Sequence, residues 1–181
     1  MKNMATGLLE VRVIRGVNLA VRDIARRSSD PYVTLTLGHQ KVKTRVVHQS
    51  CHPEWNDQLT LCASNSEHTV HLTVFDHDTF SVDDEMGNAE IDIQPYLECY
   101  NNLNTTILNE VGKPQEDALI STVQPTDQNC LAGESCILWR KDRLVQEMSL
   151  VLKNVECGEI HVQVELKGGG GGQELSGVHV E

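Results

Sequence analysis

Eight short apolar or alternating runs, each bounded by turn residues and with no long amphipathic helix among them, set the limits on what this chain can fold into. They cover residues 7–14, 31–37, 41–47, 58–62, 69–75, 86–93, 145–152 and 159–166. Runs of this length, rich in Val, Leu and Ile and poor in aromatics, predict an all-β fold, an eight-stranded antiparallel sandwich. A chain of 181 residues makes one domain with a single core the default, placed here at 1–166. Lys167 and five following glycines open a flexible Gly-rich tail over 167–181.

The strand rhythm breaks once, between strands six and seven, over about 94–144. That stretch is polar, rich in Asn and Thr, and too long for a hairpin connection. Within it, Pro95 to Tyr100 can form a short helix and Ser135 to Trp139 a further strand, ended by the turn Arg140-Lys141-Asp142-Arg143.

Charge narrows the partners. The chain carries 26 acidic and 15 basic residues, a formal charge of -11, which argues against nucleic acid as a partner and by itself repels an anionic membrane. The six cysteines are scattered without a C-x-x-C pair, and no secretory signal or run of eighteen apolar residues is present, so reduced thiols in the cytoplasm or nucleus are expected.

Two groups of aspartates flank strand-like runs. Asp23 and Asp30 precede Tyr32 to Leu37, while Asp76, Asp78 and Asp84 follow Val74-Phe75. Loops held by a rigid sheet can bring these five carboxylates to one edge, where they repel one another until a cation neutralises them. Calcium fits best, as a hard ion that takes six to eight oxygen ligands in flexible geometry. An EF-hand is excluded because Phe80 stands where that loop needs Asp or Asn. His48, Cys51 and His52 lack the fourth ligand of a zinc site, and no nucleophile and base are arranged for catalysis, so a binding or regulatory protein is expected rather than an enzyme.

Taken together, Gly7-Leu8-Leu9-Glu10-Val11-Arg12-Val13, Ser29-Asp30-Pro31-Tyr32-Val33, His52-Pro53-Glu54-Trp55-Asn56, Phe75-Asp76-His77-Asp78 and Met86-Gly87 resemble a C2 domain. The insertion and Asn154-Val155-Glu156-Cys157-Gly158-Glu159 resemble the plant C2-domain abscisic-acid-related (CAR) proteins, which overlap with the plant C2-type GTPase-activating proteins. The resemblance implies calcium-dependent phospholipid binding and recruitment of abscisic acid receptors to the plasma membrane. It also implies stimulation of a YchF-type (Obg-like) G protein, for which the Arg140 to Arg143 turn is a candidate arginine donor, and residence in cytoplasm, nucleus and the peripheral plasma membrane. The implied Ca2+ ligands are the side chains of Asp23, Asp30, Asp76, Asp78 and Asp84 and the carbonyls of Arg22 and His77. With only six residues before the first run, the last strand must fill the place beside it, the permuted arrangement called type II.

Lipid contacts follow from residue type. Lys41, Lys43 and Arg45 alternate with Val42, Thr44 and Val46, which gives one strand face a cationic row suited to anionic phospholipid headgroups. Phe80 at the middle of the second aspartate loop has a reason to be exposed only if it dips into lipid. Arg26 and Arg27 lie between the first two aspartates, in a longer first loop that brings them close to a docked bilayer.

Overall fold

In a computed structural model, which describes residues 7–64, 66–108 and 112–168, the chain forms two antiparallel sheets packed face to face. The strands are β1 (Gly7–Val17), β2 (Pro31–Leu37), β3 (Gln40–Lys43), β4 (Glu54–Ala63), β5 (Thr69–Asp76) and β6 (Asp84–Asp92), then β7 (Ala118–Val123), β8 (Ser135–Arg140), β9 (Arg143–Val151) and β10 (Glu159–Lys167). One sheet has the order β4-β1-β10-β9-β8-β7 and the other β3-β2-β5-β6. The last strand does lie beside the first, antiparallel, from Leu8↔Lys167 to Val17↔Glu159. Alternation places Leu9, Val11 and Val13 of β1 opposite Val33, Leu35 and Leu37 of β2 in one core, all fully buried.

Among the described residues ten strands form where eight were expected, because the insertion adds to the sheet. It supplies the expected β8, and also β7, whose Ala-Leu-Ile-Ser-Thr-Val run is hidden in sequence by the polar residues around it. The helix is longer than expected, with α1 spanning Gln94–Leu108. Asp92 caps it by accepting the Gln94 amide at 3.0 Å. Tyr96 and Leu97 are fully buried, and the Tyr96 hydroxyl donates to the Leu144 carbonyl and accepts the Leu166 amide, both at 2.8 Å. The insertion is thereby joined to the core by buried apolar area and two buried hydrogen bonds. Of the expected tail, Lys167 closes β10, and residues 169–181 lie outside the described part.

Strand β3 stops at Lys43, short of the expected 47. The Thr44 hydroxyl takes the Val33 amide at 2.9 Å, a donor that a ladder carbonyl would otherwise receive. Arg45 consequently leaves the row of Lys41 and Lys43. Its guanidinium donates to the Trp55 carbonyl at 3.0 Å and lies 3.6 Å from Asp57.

Two features aim the strand ends at the functional edge. A register shift between Thr73 and Phe75 sets Met86 and Gly87 of β6 opposite Val74 alone, a bulge that bends β6 just after Asp84. The buried Trp55 indole donates to the Pro31 carbonyl at 3.2 Å and fixes the start of β2 beside Asp30. Gly87, at φ 100°, lets β6 pass under the 153–155 segment, where an added Cβ would meet Val155 Cγ1 at 2.5 Å and the Lys153 carbonyl at 3.0 Å. Gly87→Ala is therefore expected to destabilise the protein by about 1–3 kcal/mol, measured as a lower midpoint in urea unfolding.

Candidate calcium and lipid site

Loop 1 follows β1 and closes on itself. The Asp23 amide donates to the Ser28 carbonyl at 2.9 Å and the Ser28 amide returns to Asp23 at 3.1 Å, leaving Ile24, Ala25, Arg26 and Arg27 as a tip. Buried Ser29 ties the loop's two arms, its hydroxyl donating to the Ala20 carbonyl at 2.8 Å and accepting the Arg22 amide at 2.9 Å. The additional length is thus absorbed in the tip, and Asp30 returns to the start of β2.

The two aspartate loops meet at Asp30. Its amide donates to Asp76 Oδ1 at 2.6 Å, and its carbonyl accepts the His77 amide at 2.9 Å. Asp76 and Asp84 are direct cross-strand partners on β5 and β6. Like charges placed opposite one another in this way destabilise a sheet. Burial, followed by the negative charges of Asp30, Asp84 and Asp78, pushes the Asp76 carboxyl above its usual range. Four of the five expected acidic ligands therefore share one field centred on Asp76.

Each carboxylate is also engaged locally. Asp30 Oδ1 accepts the Gln49 amide at 2.7 Å, and Asp78 accepts the Phe80 amide at 3.1 Å and the Ser81 hydroxyl. These donors, the Ser81 hydroxyl foremost, hold the Asp78 carboxyl below its usual range. Asp23 stands apart, accepting the Arg26 amide at 3.1 Å with the Arg26 guanidinium 3.6 Å away. Among the described residues no three His, Cys, Asp or Glu converge as a ready-made metal site. The donor set still fits a hard cation in kind, since it is all oxygen, like-charged and short of positive partners. Arg22 is the cation at its margin. Its guanidinium is held chiefly by Glu156 at 2.6 Å, which with Asp84 and Asp76 keeps its pKa raised. No hydrogen bond among the described residues reaches the carbonyl oxygens of Arg22 or His77.

Asp83, unremarkable in sequence, sets the shape of the second loop. It accepts the Asp78 amide at 2.8 Å and the Tyr32 hydroxyl at 2.5 Å, with the His77 ring 3.5 Å away. Burial and Asp83 together push the Tyr32 phenol up to about 12. Tyr32 stacks on Phe75 at 5.5 Å, and the Lys43 ammonium lies 5.8 Å above the Tyr32 ring. These residues, with Lys41 and Val82, line an open groove of about 550 Å³ on the four-stranded sheet. Its floor is aromatic and its rim cationic.

Apolar side chains project from the same end. Phe80 is 97% exposed, as expected, and it is joined by Val82 at 87% and Ile24 at 85%. Ile24 and Val82 were legible by the same argument as Phe80, each being a lone apolar residue in a polar loop. Arg26 and Arg27 flank Ile24 on the loop 1 tip and are exposed.

The profile of the C2 domain family matches residues 7–108, more than half of the chain. An Arabidopsis thaliana protein named "Protein C2-DOMAIN ABA-RELATED 4" is 49% identical over 159 residues, covering 88% of this chain and 85% of that protein. The chain belongs to the C2-domain ABA-related family. Within this CAR family a protein of Oryza sativa subsp. japonica is named "GTPase activating protein 1", and it is 46% identical over 88% of this chain and 90% of its own length. Among solved structures, the calcium-bound pair of C2 domains of Extended-Synaptotagmin 2 superposes with a TM-score of 0.56 at 17% identity, covering 91% of this chain and 46% of that one. That likeness is one of fold. The relatives' names describe regulatory rather than catalytic proteins.

Proposed function

We propose that this CAR protein binds calcium through Asp30, Asp76, Asp78 and Asp84, with the carbonyls of Arg22 and His77, and then docks on anionic phospholipid. One observation carries the reading: Asp76 and Asp84 face each other across two strands within a field of four carboxylates, beside exposed Phe80, Val82 and Ile24. Calcium held by these residues would supply positive charge that reverses the field at this edge and attracts lipid phosphate oxygens. The protein's own part is to hold the carboxylates on a rigid edge, present the apolar tips and place the cationic groove alongside. Asp23 joins the set once its carboxylate turns from Arg26, whose freed side chain then faces the anionic surface with Arg27.

The groove serves the larger headgroups. Neutralising Lys41 and Lys43 to Gln is expected to weaken binding to phosphoinositide vesicles by roughly thirtyfold, taking about 1 kcal/mol for each lysine near the surface. Binding to plain phosphatidylserine vesicles should change by no more than about threefold, because there the ions and loop tips dominate. Equal losses on both lipids would reduce the groove to generic attraction. Arg45, whose guanidinium donates to the Trp55 carbonyl and lies beside Asp57, is proposed to contribute less to lipid binding than Lys41 and Lys43.

The relatives' name supports a role related to abscisic acid, and the role we propose is that of a protein of cytoplasm and nucleus that carries abscisic acid receptors to the plasma membrane when calcium rises. A second reading is favoured by the name of the rice relative, in which the partner is a YchF-type G protein whose hydrolysis the chain stimulates. Turnover by a purified G protein of that type, with and without this chain, separates the two. A rate unchanged at saturating chain removes the second reading.

A further inference from the structure

Away from the loops, a cleft of about 240 Å³ lies on the outer face of the six-stranded sheet. Its ionisable lining is Arg12, Arg140, Lys141 and Arg143 against Glu10 and Glu165, with Glu147, Asp117 and Glu116 placed directly on Arg140 and Lys141. It sits near the end of β1 and β10 where Leu8 pairs with Lys167, whereas the calcium loops leave the other end at Val17. Five steps of strand separate Arg12, the β1 residue of the cleft nearest the loops, from Val17, about 17 Å at 3.3 Å per residue. A membrane docked at the loops does not reach the cleft.

The positive groups divide into two kinds. Arg140 is held by Glu147 at 2.6 Å and Asp117 at 3.0 Å, and Arg143 by Glu165 at 3.1 Å, so both guanidinium groups are fixed in direction. Among the described residues the Arg12 guanidinium hydrogen-bonds only to Gln58, at 3.4 Å, and Lys141 is held through its backbone amide by Glu116. Neither of these two side chains pairs with a carboxylate among the described residues. The carboxylates, by contrast, are satisfied: Lys167 lies 2.9 Å from Glu10 and 3.9 Å from Glu165. The turn joining β8 to β9 keeps Lys141 in place, with Lys141 and Asp142 both at positive φ, the backbone of a two-residue hairpin turn. Two braced guanidinium forks and two unpaired cations around one concavity make a receptor for a compact, multiply charged anion, since fixed donors lose little entropy when they bind.

From this we infer that the cleft bounded by Arg12, Arg140, Lys141 and Arg143 binds a soluble phosphate-bearing small molecule, at a site separate from the calcium loops and from the Lys41–Lys43 groove. The phosphate oxygens take hydrogen bonds from Arg12 and Lys141, and the braced arginines set its orientation. This inference is independent of calcium and of the lipid role.

Calorimetry with inorganic pyrophosphate, in EDTA at low salt, tests it on the full chain. One site is expected in the wild type. Arg12→Gln with Lys141→Gln should lower affinity by about tenfold or more, because two charge-assisted hydrogen bonds are lost. Lys41→Gln with Lys43→Gln should leave it within about twofold, and the Arg12/Lys141 variant should sediment with phosphoinositide vesicles in calcium as the wild type does. The inference is overturned by absent binding in the wild type, by a loss that follows Lys41 and Lys43 instead, or by equal losses in both variants. A lipid headgroup is then the true ligand if the Arg12/Lys141 variant also fails to sediment, an outcome that equally overturns it. If the wild type takes up an acidic peptide but not pyrophosphate, the cleft is a protein-docking site and the inference falls.

Discussion

Asp30→Asn and Asp78→Asn are each expected to abolish calcium-dependent sedimentation with phosphatidylserine vesicles, raising half-maximal calcium by about a hundredfold or more, since calcium affinity follows the charge count of the ligands. The fold should survive both changes. Asn keeps a carbonyl oxygen to accept the Gln49 amide at position 30 and the Phe80 amide at position 78. Removing a charge also relieves the repulsion that raises the Asp76 carboxyl, to which Asp30 and Asp78 both contribute. Unfolding midpoints should therefore stay close to wild type while the calcium response disappears. Unchanged sedimentation in both variants would remove these carboxylates from the site.

The second large effect is apolar. Phe80 and Val82 are almost fully exposed, so changing both to Ser, which adds no charge beside the calcium site, costs the isolated protein little. On the membrane the pair gives up the transfer energy of two side chains, about 3–6 kcal/mol at 1.5–3 kcal/mol each. Vesicle binding should fall by at least a hundredfold, while calcium binding in solution, followed by calorimetry without lipid, changes little. A loss of only a few fold would mean that the loop tips stay in water.

Why Asp30, Asp76, Asp78 and Asp84 could be grouped from sequence is a matter of strand geometry. Each stands at the mouth of a short apolar run, and an antiparallel sandwich brings such mouths together at its edges. The sandwich and the placement of the last strand beside the first were legible for the same reason: alternation survives in β1, β2, β5 and β10. The insertion was only half legible. Tyr96 and Leu97 mark the buried side of α1, but the Asn and Thr residues that extend the helix to Leu108 have weak helix propensity and hid its length. Arg45 was misplaced because a strict period of two was carried through Thr44, whose hydroxyl replaces a ladder bond. Nothing in the sequence set Asp83 apart. Only the tertiary approach of Tyr32 and the Asp78 amide makes it the brace of the second loop. Asp23 had the right spacing, yet the loop 1 hairpin turns its carboxylate toward Arg26.

The most direct test is co-sedimentation of the wild-type chain across a calcium titration, with vesicles containing phosphatidylserine and with vesicles of phosphatidylcholine alone. Steep calcium-dependent binding to the anionic vesicles is expected, reversed by a chelator, requiring less calcium as phosphatidylserine rises, and weak on the neutral vesicles. Equal binding with and without calcium, or no binding to anionic vesicles at millimolar calcium, contradicts it.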